Sequence, residues 1–409
     1  MAIDPLIQQA SAYLHHLCIE LPNRRVGSEG NWLATLFFRE AVEPFGFAVE
    51  AQPFDCIDHW RGKITLSVGG RPFTASISPY SLPCDVSAPL AVAKTVEELE
   101  AVDAAGKVLL LMGELAKEQL MPKNFTFYNP EEHQHIYRLL EGKAPAAILT
   151  ATGRNPDAVG AIYPFPMIED GDFDIPSAYL TDADGAELAA YAGSLVSLKM
   201  DARRIPASSE NICALKGGRG DRRLVVCAHI DAKDGTPGAL DNASGVAILL
   251  LLAELLQDYR GGLEVELVAL NGEEYYNTPG QVRYLDSRRE IFYRIMLAVN
   301  LDDIGYFKDR TAYSFYGCPD ELAALVRSVY QNREGFFEGP PWFQSDHGIF
   351  IANGIPAMAV TEESFAELLA EITHTEKDTP EVVDPAKLAA NARALYDLLL
   401  TLDESIKKD

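Results

Sequence analysis

The second half of the chain alternates short apolar runs with longer amphipathic stretches. Apolar runs bounded by turn residues predict strands, and apolar residues spaced three or four apart predict helices. The predicted strands are 224–228, 263–270, 295–299 and 356–360, and the predicted helices are 243–258, 321–331 and 385–402. Strands that are apolar throughout are typical of a sheet buried on both faces. The pattern therefore predicts an α/β fold with a mixed, largely parallel central sheet flanked by helices.

The pattern changes between residues 58 and 207. Short β-like runs such as 63–68 and 107–111 alternate there with turns rich in Gly, Pro and Asp. The order of strand, loop and helix begins only after this segment. We therefore expect a discontinuous domain made of residues 1–57 and 208–409, with an inserted, mostly β domain of residues 58–207.

The composition is that of a globular protein with an acidic surface. Apolar residues make up 48% of the chain, and 60 Asp and Glu residues outnumber 35 Lys and Arg residues, which gives a net charge of −25. Such an excess of negative charge repels phosphate backbones and anionic lipids. We therefore expect no nucleic-acid partner and no membrane partner, and the sequence is compatible with a homo-oligomer.

Targeting and cysteine signals favour a cytoplasmic location. The first residues lack the basic start and apolar core of a signal peptide. The longest uncharged apolar stretch, 243–253, is shorter than the roughly 20 residues that span a bilayer. The 6 cysteines form no CxxC pair, which favours reduced thiols over a disulfide framework.

Each of the four predicted strands is followed by residues that can bind a metal ion. The clusters are His229 and Asp231 with Asp241, Glu273 with Glu274, Asp302 with Asp303, and His374 in the loop after the last strand. Ligands of open α/β sheets bind beyond the carboxyl ends of the strands. Four such clusters in succession therefore predict one site at one edge of the sheet.

The types of donor favour a catalytic metal pair. Two imidazoles and several carboxylates, without thiolates, suit catalytic zinc or cobalt better than a structural Cys-rich site. A bridging carboxylate, with one His and one acid for each ion, gives three protein ligands per metal and leaves room for water. Two ions about 3.5–4 Å apart polarise a carbonyl and lower the pKa of a shared water, whose proton an unliganded carboxylate can accept.

These clusters resemble the zinc aminopeptidase family of peptidase clan MH. The matching motifs are HID, GALDNASG, NGEE, NLDDIG, SDHGIF and the late HT…DT. The resemblance extends over about residues 224–378 and more weakly to 24–28. It implies a zinc aminopeptidase-like fold, and the segment 58–207 resembles the protease-associated domain that many relatives carry at this place.

The resemblance implies a role for each residue of the clusters. One metal ion would be held by His229, Asp241 and Asp302, and the other by Asp241, Glu274 and His374. Asp241 is then the bridging ligand, and the peptide bond that follows it is cis in relatives. Glu273 would be the general base and acid, and Asp231 would orient His229. The implied cofactors are two Zn²⁺ per chain, with cobalt or manganese as substitutes.

Two departures from the family pattern lie close to the implied site. Tyr275 and Tyr276 follow the Glu-Glu pair where relatives carry a Gly-rich turn and Ser. These two tyrosines and His347 are candidates for substrate contact. Asp303 is an extra acid directly after Asp302. Adjacent residues of an extended segment point to opposite sides, so only one of the two is expected to face the metal.

The expected function is that of a zinc-dependent aminopeptidase. This hydrolase would cleave the N-terminal bond of peptides that have a free N-terminus, through a metal-bridging hydroxide with Glu273 as general base. The alternatives are a carboxypeptidase-like or glutaminyl-cyclase-like enzyme on the same fold, and a catalytically silent binding protein. The intact set of ligands argues against the silent protein. A carboxypeptidase needs a basic pocket, for which the candidates are Arg283, Arg288, Arg289 and Arg310.

Overall fold

The computed structural model describes residues 4–21, 23–154, 162–218 and 221–407. The chain divides into two compact units. One unit comprises Met1–Cys56 and Ser208–Asp409, and the other comprises Ile57–Ala207. Within the described ranges, no helix combines the length and the apolar character that crossing a membrane requires.

Strands and helices are numbered along the described chain. The strands are β1 (Ala48–Val68), β2 (Arg71–Phe73), β3 (Ser76–Ile77), β4 (Cys84–Ala93), β5 (Val108–Leu111), β6 (Ala147–Thr152), β7 (Ser177–Thr181), β8 (Leu195–Gly217), β9 (Arg223–His229), β10 (Glu264–Leu270), β11 (Ile295–Leu301), β12 (Thr311–Tyr316), β13 (Phe336–Glu338) and β14 (Ala357–Glu362). The α-helices are α1 (Pro5–His15), α2 (Glu29–Val42), α3 (Val96–Ala101), α4 (Glu131–Lys143), α5 (Asp182–Ala189), α6 (Gly245–Leu255), α7 (Pro279–Arg288), α8 (Asp320–Tyr330), α9 (His347–Ile351), α10 (Phe365–Glu371) and α11 (Pro385–Ile406).

The larger unit is built on a sheet in the order β13-β12-β14-β11-β9-β10-β8. The central strands β14, β11, β9 and β10 run parallel to one another. Strand β8 pairs antiparallel with β10, and β12 pairs antiparallel with β14. This sheet, flanked by helices, is the mixed and largely parallel sheet that the sequence predicts, so the predicted fold class is confirmed.

Side chains of the central strands alternate between two cores. Leu224 and Val226 of β9 pack with side chains of α1, α2, α6 and α11. Val225 and Cys227 of the same strand pack with side chains of α7 and α9. Because successive side chains of a strand point to opposite faces, a strand covered by helices on both faces is apolar along its whole length. This packing explains the uninterrupted apolar runs of the sequence.

Helix α6 begins later than its apolar pattern predicts. The preceding segment, Ala239–Ser244, forms a turn in which Asp241 and Asn242 have non-helical backbone angles. The side chain of Asn242 accepts a hydrogen bond from the Gly245 N–H at 3.0 Å and thus caps the first turn of the helix. The apolar pattern therefore extends beyond the regular helix because residues of this turn are buried as well.

The smaller unit contains the parallel pairs β4–β5, β5–β6 and β6–β7, and helices α3, α4 and α5. Strand β3 pairs antiparallel with β7. Leu110 and Leu149 belong to one core, and Leu109 and Ile148 belong to another. The parallel strands of this unit are therefore also buried on both faces. The resemblance of the inserted segment to a protease-associated domain stays a prediction.

We expect Leu250→Ala in α6 to lower the free energy of unfolding by about 2–5 kcal/mol, because it leaves a cavity in the core. Leu250 is 0% exposed. The matched control is Ile19→Ala, since Ile19 is 51% exposed and truncation at the surface costs about 0.5 kcal/mol or less. Denaturant unfolding measures both values. Equal losses for the two variants would contradict the assignment of α6 to the core.

Candidate metal centre

Residues of all four sequence clusters meet at the carboxyl edge of the parallel strands. His229 is the last residue of β9, and Asp302 directly follows β11. Glu273 and Glu274 lie in the loop that joins β10 to α7, and His374 lies in the loop that follows α10. The lateral order of the sheet places β9 between β11 and β10, so acids from both neighbouring strands lie beside His229.

The structure brings five side chains together as two groups of three donors. The groups are His229, Asp241 and Asp302, and Asp241, Glu274 and His374, and within each group the donor atoms lie within 4.8 Å of one another. Nε2 of His229 is 3.0 Å from Oδ1 of Asp241, and Nε2 of His374 is 2.8 Å from Oδ2 of the same carboxylate. One carboxylate therefore belongs to both groups, with one oxygen facing each histidine.

The backbone at Asp241 places its carboxylate between the two histidines. The Asp241–Asn242 peptide bond is cis, as the family resemblance implies. Asn242 donates a side-chain hydrogen bond to the carbonyl of Leu301 at 2.7 Å. The turn that carries Asp241 is therefore bonded to the end of β11, directly before Asp302.

Asp231 holds the loop that carries the two glutamates. Its fully buried carboxylate accepts hydrogen bonds from the backbone N–H groups of Gly272 (2.9 Å), Glu273 (3.3 Å) and Glu274 (3.0 Å). Nδ1 of His229 lies 3.2 Å from the backbone oxygen of Asp231 and 3.7 Å from its carboxylate. Asp231 thus contacts His229 mainly through its backbone oxygen. Its hydrogen bonds to the loop of the two glutamates were not predicted from the sequence.

Asp378 holds the turn that carries Asp241. Its buried carboxylate accepts from the N–H groups of Leu240 at 2.7 Å and Asp241 at 3.1 Å, and its backbone carbonyl accepts from Ala239 at 3.1 Å. Burial raises the pKa of Asp378 to about 7, and the backbone bonds oppose that rise. The sequence motif includes Asp378, but only the structure gives its partners.

The loop before α9 supports Asp302. Ser345 donates to Oδ2 of Asp302 at 2.5 Å and accepts from the side-chain amide of Asn300 at 2.8 Å. His347 is buried and bonds through Nε2 to the carbonyl of Trp342 at 2.8 Å. His347 is in neither donor group, and burial lowers its pKa. Its contact with substrate stays a prediction.

Aromatic side chains lie on the loops next to the two donor groups. Tyr275 and Tyr276 are buried, and their ring centroids are 4.5 Å apart. On the loop that carries Ser345, the Trp342 ring lies 4.5 Å from that of Phe365, and Phe343 is 67% exposed. Sequence reasoning missed Trp342 and Phe343 because isolated aromatic residues of a loop have no periodic pattern that indicates their location.

Asp303 lies beside the donor groups without belonging to either one. Its backbone is left-handed, with a φ of 55°, so its side chain departs from the direction of the preceding strand. It is 2% exposed. Burial raises its pKa well above the ordinary value, and the charges of Asp241 and Asp302 raise it further. Of the two adjacent acids, only Asp302 belongs to a donor group. The alternation expected for an extended segment does not apply at the left-handed Asp303, and which acid faces a metal ion stays a prediction.

The crowded acids determine the protonation of the histidines. Burial alone would lower the pKa of His229, but the nearby carboxylates, Asp302 foremost, raise it well above its ordinary value. The pKa of His374 is raised in the same way by Glu274 and Asp241 against the effect of burial. Burial raises the pKa of Glu273 well above its usual range, and the charge of Glu274 adds to this rise. The negative charge of these acids therefore strongly favours a positive charge in the site.

Residues 211–399 match the sequence model of peptidase family M28. This segment is similar to peptidase family M28. It contains both donor groups, and the resemblance recognised from the sequence motifs is confirmed for it.

Proteins similar to this chain have been named as aminopeptidases. Leucine aminopeptidase 2 of Arthroderma otae is 28% identical over 200 residues, which are 44% of this chain and 40% of that protein. The match thus spans well under half the length of this relative.

Solved aminopeptidases share the fold of the chain. The zinc aminopeptidase BSAP from Bacillus subtilis has a TM-score of 0.74 at 20% identity, and the match covers 97% of this chain and 96% of that chain. The aminopeptidase from Aneurinibacillus sp. strain AM-1 has a TM-score of 0.73 at 20% identity, with 96% and 93% covered.

We expect Asp231→Ala to expose the backbone amides of residues 272–274 to faster hydrogen exchange, because each loses its charged acceptor, a bond worth about 1.5–3 kcal/mol. Hydrogen exchange resolved by peptide or by NMR measures the change. Asp234→Ala is the control, since Asp234 lies in the same segment but pairs with Arg25. Unchanged protection in Asp231→Ala would show that these three bonds do not hold the loop.

Proposed function

We propose that the chain is a zinc-dependent aminopeptidase that hydrolyses the first peptide bond of peptides with a free N-terminus. The observation that carries this proposal is the pair of three-donor groups that share the carboxylate of Asp241. Glu273 lies next to a member of one group and belongs to neither, so its carboxylate is available for proton transfer.

The residues of the two groups fit a pair of zinc ions. They offer two imidazole nitrogens and three carboxylates without a thiolate, which is the donor chemistry of catalytic zinc. Three protein donors for each ion leave a position for water. His229, Asp241 and Asp302 would hold one ion, and Asp241, Glu274 and His374 the other. Cobalt or manganese, whose ions accept the same donors, would serve as substitutes.

When bound, the metal ions would polarise the scissile carbonyl and lower the pKa of the attacking water. Glu273 would accept the proton of that water at its carboxylate and deliver it to the leaving amine as the peptide bond breaks. Asp231 keeps the backbone of Glu273 in place during this exchange.

The alternatives have less support. Each arginine considered for a carboxypeptidase pocket is engaged with acids. Arg288 pairs with Glu266 and Glu50, Arg289 pairs with Asp286, Arg310 pairs with Glu363, and the charge of Arg283 acts on Glu50. The names of the relatives also favour an aminopeptidase over a cyclase. The complete donor set argues against a silent binding protein.

The proposed partner is a peptide, and the net charge of −25 opposes binding to nucleic acid or anionic lipid. The cytoplasmic location and a homo-oligomeric state stay predictions from the sequence.

We expect the purified protein to bind two zinc ions per chain and to cleave amino-acid nitroanilides with a free amine but not their N-acetylated counterparts. Metal analysis and a chromogenic assay measure these properties. Dialysis against a chelator should abolish turnover, and added zinc should restore it. Two bound ions with cleavage of the N-blocked substrates would contradict an aminopeptidase, and no bound ion after zinc is supplied would contradict the metal centre.

We expect Glu273→Gln to retain both ions and to lower kcat by about 10²–10⁴-fold, because the amide cannot accept the proton. Steady-state kinetics with parallel metal analysis measures the effect. Glu290→Gln is the matched control, since Glu290 is exposed on the segment after α7, and it should keep the wild-type kcat. A near-wild-type rate for Glu273→Gln would contradict the proposed mechanism.

A further inference from the structure

The guanidinium of Arg24 is buried and donates hydrogen bonds to four backbone carbonyls of the described residues. It is 1% exposed and forms no ion pair with any described acid. Its Nη1 group donates to the carbonyl of Leu17 at 2.7 Å, which ties it to the end of the first helical segment. Burying a guanidinium without a carboxylate partner is energetically unfavourable. Its hydrogen bonds must therefore compensate for the free energy lost on burial.

The other bonds of Arg24 all go to one segment, residues 230–241, which we name the bridging loop because it joins His229 to Asp241. Nε donates to the carbonyl of Ile230 at 3.1 Å, next to His229. Nη1 and Nη2 donate to the carbonyls of Pro237 at 2.9 Å and Gly238 at 2.8 Å. One rigid guanidinium therefore binds both ends of the bridging loop, close to each of the two ligand residues.

Asp378 binds the same loop through the N–H groups of its backbone, whereas Arg24 binds the carbonyls. The guanidinium of Arg24 donates to carbonyls of the loop, whereas the carboxylate of Asp378 accepts from the N–H groups of Leu240 and Asp241. The positive charge of Arg24 also lowers the pKa of Asp378, against the larger effect of burial. The peptide groups that lead into Asp241 are thus held from both sides.

Gly238 shows how closely Arg24 approaches the loop. Its φ is 62°, a left-handed conformation, and an added Cβ would lie 2.9 Å from Nη2 of Arg24 and 2.5 Å from the carbonyl oxygen of Asp241. A glycine is therefore required at the point where the guanidinium and the backbone of the bridging ligand meet. A side chain there would push apart the elements that Arg24 joins.

We propose that Arg24 is a positioning residue for His229 and Asp241, and that it sets the affinity of the site for its metal ions by fixing the bridging loop. This inference rests on the proposed function.

Arg24 lies outside the segment that matches family M28, residues 211–399, so the N-terminal part of the chain completes the site. A ligand pair that is fixed in advance loses less freedom on metal binding, and supporting partners of ligands change metal affinity by about 10–100-fold.

The test is the dissociation constant of zinc, measured by competition with a chromophoric chelator on the folded, metal-free protein. Arg24→Lys keeps the charge, but a single ammonium cannot reach four carbonyls on two segments. We expect its zinc dissociation constant to rise about 10–100-fold while circular dichroism shows the native fold. The same constant as the wild type in folded Arg24→Lys would overturn the inference.

Arg223→Lys is the matched control for the loss of a buried guanidinium. Arg223 is 4% exposed and pairs with Glu264 and Glu266 at the start of β9, at the other end of the strand from His229. We expect this variant to lose thermal stability without a change in the zinc dissociation constant. An equal loss of zinc affinity in both variants would show that Arg24 acts only through general stability, and would overturn the inference.

Asp378→Asn tests the same loop from its other side if Arg24→Lys does not fold. The amide keeps the size of the side chain but turns a donor toward one of the two N–H groups. We expect weaker zinc binding in Asp378→Asn alone. Where Arg24→Lys does fold, we expect the double variant to show a combined effect smaller than the product of the single effects, because both residues hold one loop. Unchanged zinc binding in Asp378→Asn, or fully multiplicative effects, would contradict the inference. Failure of the wild type to bind zinc would instead overturn the proposed function, and this inference with it.

Discussion

The carboxylate of Asp241 is the group on which the rest of the site depends. Its two oxygens face two different histidines at 3.0 and 2.8 Å, so a single side chain joins the two donor groups. A shared carboxylate is useful only if its orientation is fixed, because a rotation that improves one contact weakens the other. The described bonds meet this requirement through the backbone. Asp378 binds the N–H groups of the turn, Asn242 binds the end of β11, and Arg24 binds carbonyls of the loop before it.

Several acidic side chains lie close together at the edge of the sheet, although their negative charges repel one another. Asp231, Asp241, Asp302 and Asp303 are all buried there. The charge of Asp302 raises the pKa values of both His229 and Asp303. Burial of like charges is unfavourable unless cations or hydrogen-bond donors compensate it. Some of these carboxylates meet this need with backbone N–H groups, as Asp231 does. In the proposed function, bound metal ions would compensate the negative charge that remains.

Much of the fold follows from patterns that lie within short segments. Uniformly apolar strands require helices on both faces, and the two cores on either side of β9 show that arrangement. The start of α6 could not be predicted in this way, because residues of the preceding turn are also buried and extend the apolar pattern. The hydrogen-bond partners of Asp231 and Arg24 could not be predicted from the sequence either. Both side chains bond to backbone groups, which every residue carries, so no pattern of residue types reveals them.

The sequence by itself predicted the four central strands of the larger unit and the side chains that lie just beyond their ends. The residue pattern alone did not give which of these side chains meet. The family resemblance implied the two groups, and the tertiary structure brings them together. The strands lie in the order β14-β11-β9-β10, which differs from their order along the chain. Asp302 therefore lies beside His229 although 73 residues separate them. The physical reason is that strand neighbours are chosen by the packing of helices on the two faces, a property of the whole layer that no single segment contains.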